Sequence, residues 1–369
     1  MQPFSFVKFL KQLKDEYRPL LPWMIGGGVV FLACIVIFVL IISGKTRRTP
    51  QISPVVTEST TTTISMLIPR HLDGVLVAPE EANVAPWAVM IDNQLDARPQ
   101  SGLSAANVVI ESPVEGGITR LMALFAPTST LPQIGPVRSA RPYFVDWASA
   151  WNASYFHVGG SPDALDQIKT LGTRFKGLSE IANGWAFLRA SARAAPHDVM
   201  TNGERMHLLV NRKGFTSSTM PIAWHFLDNA TSTATSTVRQ GDVTRAVIAY
   251  GGSYSVTWRF EKARNIYARY VSGRAVKDQL GPAIEADNII VIKTDAQVLD
   301  DKGRLRIRTT GSGDAIAYRD GNKFSLRWRR GPNEVMRFEG EGGTEFLLRP
   351  GKTWIQVTTD DVSFAGVEK

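Results

Sequence analysis

The 369-residue chain holds a single cysteine, Cys34. That count excludes a disulfide within the chain, and because Cys34 lies in an apolar run near the amino terminus it also excludes a cysteine nucleophile or a cysteine-based zinc site in the body. No His-Glu-x-x-His, no paired metal-ligand spacing and no dinucleotide-type glycine fingerprint occurs, so no metal and no cofactor are expected. Lysine is missing from Thr46 to Ile168, and between His71 and Ile168 the only fixed cations are Arg98, Arg120, Arg138 and Arg141, set among Asp92, Asp96, Glu111 and Glu115. Arginine offers a planar, permanently charged fork suited to carboxylate or phosphate, whereas a merely solvated surface mixes in lysine. A polar site is therefore expected in this stretch.

The formal charge of +8 divides unevenly: residues 1–70 hold 8 Lys/Arg against 3 Asp/Glu, and the remainder holds 34 against 31. The body is nearly balanced, so no basic stripe for nucleic acid is indicated. Leu20 to Gly44 is a run of 25 residues without a charged side chain, long enough to cross a hydrocarbon core of ~30 Å. It is expected to be a transmembrane helix inserted in the lipid bilayer. Lys8, Lys11, Lys14 and Arg18 before it outnumber Lys45, Arg47 and Arg48 after it, which places the amino terminus inside and the body outside the membrane. Phe31-Leu-Ala-Cys34 faintly matches a lipoprotein cleavage site, but the apolar run continues beyond Cys34, favouring an uncleaved anchor.

The expected organisation is a cytoplasmic tail (1–19), the transmembrane helix (20–44), a Ser/Thr/Pro-rich linker (45–82), a mixed α/β domain (83–228), a linker (229–237), a β-rich domain (238–360) and a tail (361–369). His71 to Val77, with an Asp73-Gly74 turn, is a possible earlier start to the fold. In the first domain Trp87–Ile91, Val108–Ile110, Leu121–Phe125 and Tyr155–Val158 read as strands. Pro142–Trp151, a segment from Ser161-Pro162 to about Leu171 and Asn202–Val210 read as helices, with Ser and Pro as the start signal of the second. Asn229 to Thr237, NATSTATST, is low-complexity and marks the internal boundary. Beyond it, alternation at Val256, Trp258, Phe260 and at Phe324, Leu326, Trp328 predicts half-buried, mostly antiparallel sheet. The fold class is therefore α+β, membrane-anchored.

Asp92, Glu111 and Glu115 stand at strand ends, where burial could raise a pKa, and are candidate catalytic carboxylates; the alternative is a structural network with the arginines. Gly135-Pro-Val-Arg-Ser-Ala-Arg141 brings Arg138, Ser139 and Arg141 together as an anion clamp or a rigid corner. His157-Val-Gly-Gly-Ser-Pro-Asp163 is strand, small loop, helix start, an arrangement that can turn backbone amides and the Gly159-Gly160-Ser161 loop toward an anion. His157 is a candidate base, and Ala195-Pro-His197-Asp198 repeats polar residues at a proline corner.

These residues carry a resemblance. VMIDNQLDARPQSGLSAANVVIESPVEGGITRLMALF, IGPVRSARPYFVDWA, HVGGSP and APHD in the first half, with GRLRIRTTGSGDA and GKTWIQV in the second, resemble the bacterial YerB-like family of paired N-terminal and C-terminal domains of unknown function. The resemblance spans about residues 71–359. It implies anchoring outside the cytoplasmic membrane and a two-domain body, and supplies no activity. Family members look lipid-anchored, whereas this chain is expected to keep its helix. The leading expectation is an extracytoplasmic protein that binds a cell-envelope polymer or small anionic ligand through Arg98, Arg120, Arg138, Arg141, His197 and the Gly159-Gly160 loop. The alternatives are an envelope glycan or peptide hydrolase using an Asp/Glu pair with His157, and a scaffold for membrane protein partners.

Overall fold

A computed structural model describes residues 66–216, 218–228, 239–242, 244–250, 254–359 and 364–368. The apolar run at 20–44, the 45–65 stretch of the tether and the 229–237 boundary lie outside the described residues. Among those described, no helix is long and apolar enough to cross a membrane.

Five strands of the first half, β1 (Trp87–Asp92), β2 (Val108–Pro113), β3 (Thr119–Phe125), β4 (Ser154–His157) and β5 (Lys176–Ser179), join helices α1 (Pro142–Ala150), α2 (Pro162–Leu171) and α3 (Gly203–Arg212). The second half adds β6 (Arg239–Asp242), β7 (Arg245–Ala249), β8 (Ser255–Glu261), β9 (Ile266–Val271), β10 (Asn288–Lys293), β11 (Gly311–Arg319), β12 (Asn322–Arg330), β13 (Thr353–Thr358) and β14 (Phe364–Glu368). Every residue of β1, β2, β3 and β13 is buried, as expected of strands covered on both faces.

The main sheet has the order β6-β12-β11-β10-β13-β2-β3-β1-β4-β5, with Arg337–Glu339 against β12 as an eleventh strand. Strands β10, β13 and β2 run parallel to one another, as do β1, β4 and β5, and β3 is antiparallel to β2 and β1. With β12, which lies two antiparallel steps from β10, seven strands therefore share one carboxyl edge. Because side chains alternate along a strand, the sheet divides two cores. Ala88, Met90, Ile110, Met122 and Leu124 pack with α1 on one face, and Val89, Ile91, Val109, Leu121 and Ala123 pack with α3 and a second sheet on the other. That second, six-stranded sheet is antiparallel and contains β9-β8-β7-β14.

The mixed, sheet-rich α+β class is as expected, with three differences. Strands of the second half do not all form a layer of their own: β10 and β13 pair in parallel and carry the main sheet into β2. Pairing between distant strands leaves no local mark, and runs such as Ile289–Ile292 are buried on both faces. The folded part begins before 83, because Ile68–Pro69 pairs with Leu76–Val77 around buried Leu72 and Asp73. The segment 361–369, expected as a tail, contains β14, paired with β7.

Helix starts follow their local chemistry. The Ser161 hydroxyl accepts from Ala164 N at 3.3 Å to cap α2, and the Asn202 side chain accepts from Arg205 N at 3.0 Å to cap α3. Pro142 occupies the first turn of α1.

Candidate functional site

The carboxyl edge is organised by the ribbon Ile134–Ala140, which lies against the ends of β1 and β4. Asp92 N donates to Pro136 O at 2.9 Å, Arg138 N to Met90 O at 2.9 Å, Val158 N to Arg138 O at 3.0 Å and Ala140 N to Gly159 O at 3.1 Å. The ribbon passes so close to its neighbours that a Cβ on Gly135 would sit 2.9 Å from Met200 Sδ and from Val199 O. Gly159, at φ +60°, turns its carbonyl back toward the His157 ring, and no heavy atom lies within 4 Å of where its Cβ would be. Arg138, Ser139 and Arg141 are thereby fixed beside Asp92, His157 and Arg120. Three cis prolyl bonds flank the region, at Pro99, Pro136 and Pro196.

Asp92, 1 % exposed, accepts on one oxygen from His197 Nδ1 at 2.7 Å, the same oxygen that forms an ion pair with Arg138 Nε at 2.8 Å, and on the other from Gln94 N at 3.1 Å. The contact to Asp92 places the His197 proton on Nδ1. Glu115 pairs with Arg141, accepting from Nε at 3.0 Å and from Nη2, while Arg141 Nη1 donates to Ala140 O at 2.7 Å. His157 Nδ1 lies 2.7 Å from Gly159 O. A carbonyl only accepts, so Nδ1 carries the proton and Nε2 the lone pair of the neutral ring. Burial holds the pKa of His157 below its ordinary value, against the opposing pull of that bond.

Arg120 differs from its neighbours. It is 4 % exposed, and Nη1 donates to Ser139 O at 3.0 Å, yet among the described residues no carboxylate pairs with it and its Nε is sealed without a partner. Burial lowers its pKa, partly offset by the hydroxyls of Tyr143 and Tyr155 and by Asp92.

Glu111 and Arg98 belong elsewhere. The parity of β2 turns Glu111 to the other face of the sheet, where it is fully buried against Arg269 Nη1 at 2.9 Å. It also accepts from Tyr254 OH at 2.7 Å, Thr119 Oγ1 at 2.8 Å and Trp354 Nε1 at 3.2 Å. Burial alone would raise its pKa, but the charge and hydrogen bond of Arg269, with the Tyr254 and Thr119 hydroxyls, outweigh it and hold the carboxyl below the usual range. Arg269 in turn lies 4.4 Å from the Trp354 ring centroid and 5.5 Å from that of Trp258. Arg98 donates to Asn93 O at 2.7 Å and stacks on Tyr254 at 4.8 Å. This is a structural ion pair joining the two halves of the chain, with none of the accessibility an acid-base group needs.

Of the residues singled out by sequence, Asp92, Arg120, Arg138, Ser139, Arg141, His157, Gly159, Gly160, Ser161, His197 and Glu115 thus gather at one edge, and Glu111 and Arg98 lie on the opposite face. Ser161 is engaged as a helix cap, and Ser139 presents its carbonyl. Sequence reasoning missed Arg269, Tyr254, Ser112, Tyr143 and Tyr155. Tyr155 could have been found, since it shares the strand parity of His157; nothing local marks Arg269 as the partner of Glu111. Among the described residues no cluster of His, Cys, Asp and Glu could hold a metal ion.

Fold and site together define a mixed α+β protein with a buried cationic cluster at the carboxyl edge of a sheet shared by both halves of the chain. The chain belongs to the family called "Protein of unknown function (DUF3048)": residues 72–216 match its N-terminal domain and residues 246–355 its C-terminal domain. It is 29% identical over 298 residues to the Bacillus subtilis (strain 168) protein named "Putative lipoprotein YerB", covering 78% of this chain and 86% of that one. The crystal structure of YerB protein from Bacillus subtilis is similar at a TM-score of 0.70 and 26% identity, over 81% of this chain and 100% of the solved one.

Proposed function

We propose that this protein is held at the outer face of the cytoplasmic membrane by residues 20–44 and binds an anionic group of a cell-envelope polymer at the carboxyl edge of its main sheet. The observation that carries the reading is Arg120: among the described residues no carboxylate pairs with it, and a buried guanidinium so placed is costly unless a ligand supplies the negative charge. Its two neighbours are compensated, Arg138 by Asp92 and Arg141 by Glu115, so the cluster carries one uncompensated positive charge. Anchoring is supported by the uncharged 25-residue run and by the name of the Bacillus subtilis relative.

The test is retention of the full-length protein, in detergent, on purified cell-envelope material, with bound and released material quantified by mass spectrometry. Arg120→Gln is expected to weaken retention by about tenfold or more, the loss of one charge-assisted contact. Undiminished retention of that variant would refute the reading.

A hydrolytic role is the second reading, and one observation favours it. Asp92 fixes the Nδ1–H tautomer of His197, which leaves Nε2 to accept a proton from water. Release of fragments that vanishes in His197→Gln, with retention intact, would establish it.

A further inference from the structure

A cavity of about 720 Å³ opens between the hairpin formed by Ile68–Pro69 with Leu76–Val77 and the segment 222–228. Ile68, Val75, Leu76, Ile222, Trp224 and Phe226 make its wall mostly apolar. The hairpin is pinned to the body at its turn. A Cβ on Gly74, at φ +71°, would sit 2.3 Å from Phe226 Cγ, so the turn rests directly on that ring. Buried Asp73 accepts from Asn107 Nδ2 at 2.6 Å, and its carbonyl accepts from Gly351 N at 2.8 Å. The strands themselves stay largely exposed. Six of the thirteen large apolar side chains exposed among the described residues gather here: Met66, Leu67, Ile68, Val75, Leu76 and Ile222. Scattered singly such residues need no explanation, but a contiguous set around a cavity marks a contact surface.

We infer that this apolar face docks on membrane lipid, with the side chains of the hairpin and Ile222 seated in the bilayer interface. The inference rests on the reading that residues 20–44 hold the chain in the membrane. Three observations select lipid. Residues 45–65 join that run to Met66 through 21 residues, a fully extended reach of at most about 80 Å, so an anchored chain never carries the hairpin farther than that from the end of the run. The fixed charges along the cavity leave no free cation among the described residues: Arg70 pairs with Asp73 at 2.7 Å, and Asp228 adds an exposed anion. His225 is likewise taken up by Glu345 at 2.9 Å. The contact is therefore apolar, and zwitterionic lipid suffices. Strand addition by a protein partner is poorly served, since each strand is two residues long and Pro69 supplies no N–H.

The test uses the full-length protein carrying Cys34→Ser and a single fluorophore, attached through Leu67→Cys or, as a control, through Val298→Cys. Val298 is exposed and does not line the cavity. Each protein is reconstituted into phosphatidylcholine vesicles in which part of the lipid bears a nitroxide on the acyl chain near the headgroup. Flotation with the vesicles reports the anchor, and quenching by the nitroxide reports docking. The Leu67→Cys label is expected to be quenched about twofold or more relative to the Val298→Cys label, at low and high salt alike. Leu76, 52 % exposed, takes aspartate without unfolding the body, and Leu76→Asp is expected to shift the docked-to-free ratio by about tenfold or more, bringing quenching down to the control level. Equal quenching of both labels in protein that floats, or quenching at Leu67→Cys that survives Leu76→Asp, overturns the inference and leaves the anchor standing. Quenching that vanishes at high salt overturns it as well, because headgroup charge would then hold the contact. Failure to float removes the anchor and the inference with it.

Discussion

Removing Arg269 should reverse the way stability depends on acid. Its partner Glu111 is fully buried, and their contact of 2.9 Å joins β9 to β2. Arg269→Met keeps volume against the Trp258 and Trp354 rings but strands the carboxylate, and breaking a buried pair from one side costs about 3–5 kcal/mol. The sign of the pH effect follows from the opposing influences on Glu111. In the native protein its folded pKa lies below the unfolded value, so its contribution is present above the unfolded pKa and is lost as pH falls through the folded one. Without Arg269, burial is opposed only by the Tyr254, Thr119, Asn93 and Trp354 contacts, and the folded pKa rises above the unfolded value. The contribution is then fully present below the unfolded pKa and is lost as pH rises through the folded one. Urea unfolding at pH 4 and pH 7, followed by tryptophan fluorescence, should show native protein losing stability toward pH 4 at this site while the variant loses less or gains. Glu111→Gln combined with Arg269→Met should recover much of the loss. A cost under about 1 kcal/mol, or an unchanged pH trend in the variant, would refute the reasoning.

Tyr155→Phe removes a hydroxyl that is buried without a partner, and such groups cost about 1–3 kcal/mol; ligand-free protein should therefore be unchanged or up to about 1 kcal/mol more stable in thermal unfolding, against the usual direction for a core substitution. His157, whose pKa burial holds below its ordinary value, should stay neutral with the proton on Nδ1 in nitrogen-15 NMR at pH 6.5. Its contribution to stability is present above the unfolded value of ~6.5 and is lost as pH falls through the folded one, and a majority Nε2–H tautomer would contradict this. Ser161→Ala should cost about 1 kcal/mol by urea unfolding, through loss of the cap to Ala164 N.

Local chemistry was legible in the sequence where it is decided locally. Ser161-Pro162 starts α2, Gly159 permits the turn after β4, and the alternation of Phe324, Leu326 and Trp328 buries one face of β12. Much of the site was legible for a related reason: strand ends followed by polar residues, at Asp92, Arg120 and His157, meet at one edge because β1 and β4 run parallel and β3 antiparallel. The division of the carboxylates was not legible. Glu111 and Ser112 are adjacent, yet strand parity sends Glu111 to Arg269 and Ser112 to Arg120, and which face holds which partner depends on β9 and β13, far along the chain.

That parity separates two arginines that composition alone treats as alike. Arg269 meets Glu111 and two indoles, so its charge is already neutralised and its worth lies in holding β9 against β2. Among the described residues Arg120 meets the Ser139 carbonyl and no carboxylate, so in the proposed reading its charge is a cost to the folded chain that a bound anion would offset. The two should respond oppositely to substitution. Arg120→Gln should leave ligand-free stability unchanged or improved and weaken retention on envelope material, whereas Arg269→Met should lower stability and, in the fraction that remains folded, leave retention intact. Finding both variants defective in stability and equal in retention would mean that Arg120, too, is a structural cation whose negative partner lies among the residues of this chain outside the described set.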